Sequence, residues 1–167
     1  VNGSSFFFRN ELNEYRSAEN FKFFVDNFSV RQGEEYDVWM STAEEYNVYG
    51  IQLGQLFDEN KLDVLNISSP ILNLNKDVDY IINKGGDWRC LLLNSNVSLF
   101  TIYGKFLKIR VKSKFNGMLN EALSSKHFPI PLFVIGSDIE LSTPQLEERN
   151  LTATSDPKTN LNSLHVY

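Results

Sequence analysis

A chain of 167 residues suits one domain better than two, and at this size folding buries roughly 68–70 % of the unfolded surface without a metal or disulfide staple. Hydrophobic residues at 42 % and charged residues at 22 % exclude disorder of the whole chain. Sixteen basic against 21 acidic residues, a net charge of −5, argue against nucleic acid as the main partner.

Thirteen Phe and seven Tyr favour strands, because aromatic rings pack well on a pleated, half-buried surface. The first twenty residues join an apolar knot, Phe6-Phe7-Phe8, to the polar run Asn10–Arg16. Strands are predicted at Phe21–Val25 and Tyr36–Met40, with Gly33 marking the turn between them. Glu44–Leu56 is ambiguous: Tyr46, Val48 and Ile51 suit a strand, while Gly50 and Gly54 weaken any helix. Leu62–Ile67 reads as a further strand closed by Ser68-Ser-Pro70.

Val78–Ile82 runs into the glycine turn Asn83–Asp87, and Trp88–Leu93 follows. A hairpin is predicted over Ser98–Lys112, with its turn at Gly104. In its second arm Leu107, Ile109 and Val111 alternate with Lys108, Arg110 and Lys112, a period of two that puts the aliphatics on one face. Phe115–Ser125 suits a short helix, and Leu132–Ile135, continued by Ile139–Leu141, a last strand. After Pro144 the composition turns polar. The expected organisation is therefore all-β: an antiparallel β-sandwich over residues 1–143, of about 7–9 strands with one short helix. Residues 144–167 are expected to form an extended polar tail or docking segment. No apolar run approaches the roughly 18–20 residues of a membrane span; the longest, Phe128–Ile135, holds two prolines.

Chemistry is hard to find. His127 and His165 are the only imidazoles for a nucleophilic triad, and Gly136-Ser137-Asp138 lacks a hydrolase elbow. Cys90 is the single cysteine and sits in a strand, where a buried, inert thiol is expected. Two distant histidines and one cysteine match no zinc spacing. The pairs Glu34-Glu35, Glu44-Glu45 and Glu147-Glu148 read as solvated faces or turns, and Lys105, Lys108, Arg110, Lys112 and Lys114 as the wet side of a strand. Trp39 and Trp88 could line a sugar-binding face, but core packing suits either. No catalytic, cofactor or metal residue, no cofactor and no small-molecule substrate is assigned.

The 18 Asn and 22 Ser and Thr predict about 2.4 N-x-S/T triplets by chance, against five present: Asn2, Asn27, Asn66, Asn96 and Asn150. These are glycosylation candidates, though an Asn-rich composition also yields such triplets. The opening Val1-Asn-Gly-Ser-Ser lacks an initiator Met, which fits a removed signal peptide or a trimmed chain.

Three pieces between Asp87 and Pro144 carry a family likeness: Trp88-Arg-Cys-Leu-Leu-Leu-Asn-Ser95, Leu99–Val111 around Gly104, and Leu132–Leu141 leading to Pro144. In order and spacing they resemble subunit ten of the endoplasmic reticulum membrane protein complex. The resemblance implies a non-catalytic luminal β-sandwich that contacts other subunits of an insertase and acts in membrane protein insertion and folding. Membrane association would be indirect or through a segment outside this chain. Animal members carry a second cysteine that can pair with the first; Lys112–Ile130 holds none, so that disulfide is absent. The alternatives are a secreted or cell-surface carbohydrate-binding β-sandwich, such as a receptor-binding module, and a small luminal enzyme with a cleft joining His127 to a carboxylate.

Overall fold

The computed structural model describes residues 20–152. Phe6-Phe7-Phe8, Asn2, His165 and the end of the expected tail lie outside them. The strands are β1 (Lys22–Asn27), β2 (Ser29–Val30), β3 (Glu35–Leu56), β4 (Leu62–Ser68), β5 (Tyr80–Asn83) and β6 (Asp87–Leu93). They continue with β7 (Phe100–Ser113), β8 (Gly117–Met118), β9 (Phe133–Gly136), β10 (Leu141–Ser142) and β11 (Gln145–Asn150). The expected all-β sandwich is observed. Of the helix predicted over Phe115–Ser125, only the 3-10 turn Leu119–Glu121 forms; Gly117 and the β8 pairing to β2 use up its first turn.

The ladder runs unbroken through β3, a strand of 22 residues. Its first half joins β1 and β7, flanked in turn by β11 and β4. Its second half joins β6 and β9, flanked by β5 and β10. One strand thus belongs to both sheets. Two irregularities let it do so. Met40 pairs with Leu107 and Ser41 with Lys105, which leaves Phe106 as an extra residue on β7. Farther on, Thr42 pairs with Gly104 and Tyr46 with Ile102, so Ala43–Glu45 bulge out opposite Tyr103. Bulges of this kind bend a strand and increase its twist.

The hairpin predicted over Ser98–Lys112 is therefore corrected to one 14-residue strand. Gly104 takes φ +73, the left-handed conformation that suits glycine, but uses it to shift register inside a strand and not to reverse the chain. The expected inner face is nonetheless present: Leu107, Ile109 and Val111 are all buried, with Phe106 added by the bulge. Phe106 stacks 5.0 Å from Phe23, and Tyr46 lies 5.0 Å from Phe21.

The segment expected as tail begins as a strand. Lys22 to Asn27 pair in parallel with Gln145 to Asn150, the one parallel pairing among the named strands, and Leu146 packs on the core. The division expected at residue 143 thus falls inside the sheet; six singly placed polar and apolar residues suffice for an edge strand because only one side needs pairing. Ile109 is fully buried between β3 and β4, so Ile109→Ala should lower unfolding free energy by about 2–5 kcal/mol in denaturant titration; a loss below about 0.5 kcal/mol would contradict this packing.

Candidate docking face

The two sheets present very different outer faces. On the first, β7 turns Lys108 and Arg110 outward beside Glu35, Asp37 and Trp39 of β3. The Arg110 guanidinium donates to Glu35 at 2.9 Å and to Asp37 at 3.5 Å. Lys105 and Lys108 stand 5.1 and 5.8 Å from the centre of the Trp39 ring. Asp26 is buried, accepts the Trp39 N–H at 3.1 Å and pairs with Arg149 of β11 at 3.3 Å. Burial pushes the carboxyls of Asp26 and Asp37 up and the Lys105 ammonium down, against the opposing pull of their oppositely charged neighbours. This face is tiled by mutually satisfied charges, with the Trp39 ring covered by cations.

The second face is apolar around Leu91 and Leu93, with Arg89, paired to Asp87 at 3.1 Å, at one end of the same row. Trp88, Cys90 and Leu92 of β6 point into the core, which turns Leu91 and Leu93 outward, 38 % and 39 % exposed. Along β3, Ile51, Leu53 and Gln55 point inward, so Gly50, Gln52 and Gly54 lie on the outer side. Gly50 pairs with Leu93 on one flank and Ile135 of β9 on the other. A methyl at Gly50 would meet the Cδ1 atoms of Leu93 at 3.4 Å and Ile135 at 3.7 Å. The three strands thus form a trough about 10 Å across, two strand spacings, with a glycine floor and aliphatic walls. It is closed at Gly54, where an added methyl would meet Pro129 at 3.2 Å and Ile130 at 3.4 Å. The strap bearing these residues is tied down by Gln52, whose Nε2 donates to the Pro131 carbonyl at 2.9 Å. Contiguous exposed aliphatics of this kind mark contact surfaces.

The residues singled out for chemistry do not converge. Trp88 is core, its indole N–H donating to Gln55 at 3.2 Å. Cys90 is buried, and burial raises its thiol to about 12. His127 is exposed on the strap; the groove of about 560 Å³ beside it is walled by Pro129, Pro131, Leu132, Pro144 and Leu146, and no carboxylate lines it among the described residues. Among the described residues no group of three His, Cys, Asp or Glu gathers as metal ligands would. Of the sequons, Asn66, Asn96 and Asn150 are exposed. Asn27 is buried, its amide donating to Asn150 at 2.8 Å and its carbonyl accepting the Asn120 N–H at 2.9 Å. Leu91, Leu93 and Ile135 were not singled out from the sequence, although one signal was there: Cys90–Leu93 is apolar without alternation, so both sides of that stretch of β6 are apolar.

This architecture is that of cohesin modules. The chain is similar to the sixth cohesin of scaffoldin B from Acetivibrio cellulolyticus, solved in complex with a Cel5 dockerin, at TM-score 0.55 and 16 % identity over 77 % of this chain and 94 % of that one. A non-cellulosomal cohesin from the archaeon Archaeoglobus fulgidus superposes at TM-score 0.54 and 11 % identity, over 80 % and 93 % of the two chains. A chain of the type I cohesin–dockerin complex Coh-OlpA-Doc918 from Clostridium thermocellum superposes at 0.52 and 12 %, over 80 % and 100 %. No protein-family profile and no curated protein sequence matches the chain.

These neighbours overturn the resemblance to subunit ten of the endoplasmic reticulum membrane protein complex, and with it the insertase role, and they lend no support to the luminal address or the subunit partners. The three pieces that carried it are ordinary strand patterns: β6, the single strand β7, and β9 with β10. Aliphatic runs and a glycine bulge recur in any sandwich.

The charged face yields a prediction with a definite sign. Because the folded state holds Asp26 with a raised pKa, it binds that proton more readily than the unfolded chain does. Asp26 therefore subtracts from stability at neutral pH, and the deficit disappears as the pH falls through the folded pKa into the ordinary carboxylate range. Asp26→Asn keeps an acceptor for Trp39 and should change stability by less than about 1 kcal/mol at neutral pH, whereas Asp26→Ala orphans that N–H and should cost about 1–3 kcal/mol. In melts at descending pH, the wild type should gain on Asp26→Asn; a wild type that loses ground would refute the assignment.

Proposed function

We propose that this chain is a non-catalytic β-sandwich docking module that binds a protein partner through the apolar trough of its second sheet. The observation that carries the reading is the row Leu93–Gly50–Ile135, with Leu91 beside it: exposed Leu91 and Leu93 and half-buried Ile135 flanking a floor that carries no side chain at Gly50. Burying these groups costs no desolvated charge, so the hydrophobic gain of contact is kept. The cohesin fold supports the reading, since cohesins among the neighbours were solved with a dockerin bound; a dockerin-like domain is the partner class we infer. A secreted or cell-surface address goes with it. The charged first face has no comparable open apolar surface, and the cations over Trp39 leave little ring for a sugar to stack on.

Calorimetric titration of the full chain with dockerin modules tests this. Binding by at least one is expected, with Leu91→Arg weakening it more than about tenfold, or about 1.4 kcal/mol, at unchanged melting temperature. Lys108→Glu, on the opposite sheet, should leave binding intact. Loss with Lys108→Glu but not with Leu91→Arg would move the site to the other face, and failure of every dockerin would remove the partner class.

A further inference from the structure

The trough has an electrostatic character that its aliphatic walls do not reveal. None of the sixteen Lys and Arg falls in residues 41–56, 90–104 or 128–148, and the cation that β6 turns onto this face, Arg89 opposite Gly54, is paired with Asp87 at 3.1 Å. The first two stretches carry Glu44 and Glu45 as their only charges, and the third carries Asp138 and Glu140 ahead of Glu147 and Glu148.

The fold brings four of these carboxylates to one place. Glu44 and Glu45 belong to the exposed bulge that precedes Val48. Val48 pairs with Gly136, and the exposed turn holding Asp138 and Glu140 follows Gly136 directly. Both acidic segments therefore stand at the Gly50 end of the trough, the end that Pro129 and Ile130 leave open. By contrast, Lys105, Lys108, Arg110 and Lys112 lie on β7 with their side chains on the first face. The Gly50 end of the trough is therefore acidic even though the whole chain is only modestly so.

Resting on the docking reading above, we infer that the partner is cationic: a protein surface on which Lys or Arg residues flank an aliphatic patch, the patch filling the trough and the cations meeting Glu44, Glu45, Asp138 and Glu140. Rim charges of this kind act mainly on the rate of encounter and on the choice of partner, while the apolar contact holds the complex. An acidic partner surface would bring its charges against Glu44, Glu45 and Glu140 at this end of the trough.

The experiment uses the full chain and two synthetic amphipathic helices of equal length, one built of leucine and lysine and one of leucine and glutamate. The leucine–lysine helix should bind at least about tenfold more tightly, and raising the salt to about 0.5 M should remove most of that preference. The double variant Glu45→Lys/Glu140→Lys should weaken it at least about fivefold, while Glu59→Lys/Asp63→Lys, with the same change in net charge away from the trough, should not. Leu91→Arg should abolish it in either background. Equal binding of both helices that Leu91→Arg abolishes would overturn the cationic partner and leave the docking face standing. Binding of the leucine–lysine helix that ignores Leu91→Arg would overturn the docking face itself, and absence of binding by both helices would overturn the present inference.

Discussion

The sandwich depends on one strand changing its phase. In the first half of β3 the buried residues are Tyr36, Val38 and Met40, then Tyr46 and Val48 beyond the bulge; in the second half they are Ile51, Leu53 and Gln55. Because side chains alternate strictly along a strand, a continuous period of two could not keep all of these inside. The inward phase is the same on both sides of the bulge at Ala43–Glu45; the slip between Val48 and Gly50 resets the count, so one strand offers an inner face to both sheets. The trough inherits its position from that reset, which turns Gly50 outward between Leu93 and Ile135.

The two outer faces then divide the work by desolvation cost. Covering the first would strip water from Arg110, Lys108, Glu35 and Asp37, ions already balanced against one another, and such burial is seldom repaid. Covering the stretch of the second around Leu91, Leu93 and Ile135 strips water mainly from aliphatic carbon. A module with one expensive face and one cheap face has its orientation of association decided before any partner arrives.

The same contrast sets what was legible in the sequence. β7 alternates aliphatic with cation, and both its buried and its wet side can be read directly from Leu107–Lys112. Most other strands were also legible, to within a few residues, from their aromatic and β-branched content. Gly104 misled, because it looks like a turn and is a bulge, whereas Gly50 and Gly54, which weakened any helix there, lie within a strand as the outer side of β3. β11 was missed because an edge strand is held by backbone pairing to β1, which leaves little mark on side chains. The apolar outer face was missed for a different reason: an apolar run such as Cys90–Leu93 signals burial on both sides, and here its outer side is open.

The parallel pairing of β1 with β11 also has a mechanical side. The chain enters β1 at Lys22, beside Gln145, and leaves β11 at Asn150, beside Asn27, so entry and exit lie at opposite ends of one two-stranded ribbon. Tension applied through the two ends slides the strands lengthwise past each other. All the rungs of that ladder carry the load together, instead of opening one at a time as they would in an antiparallel pair peeled from its tip. A domain pulled along its own chain is thus braced at the point where the force enters.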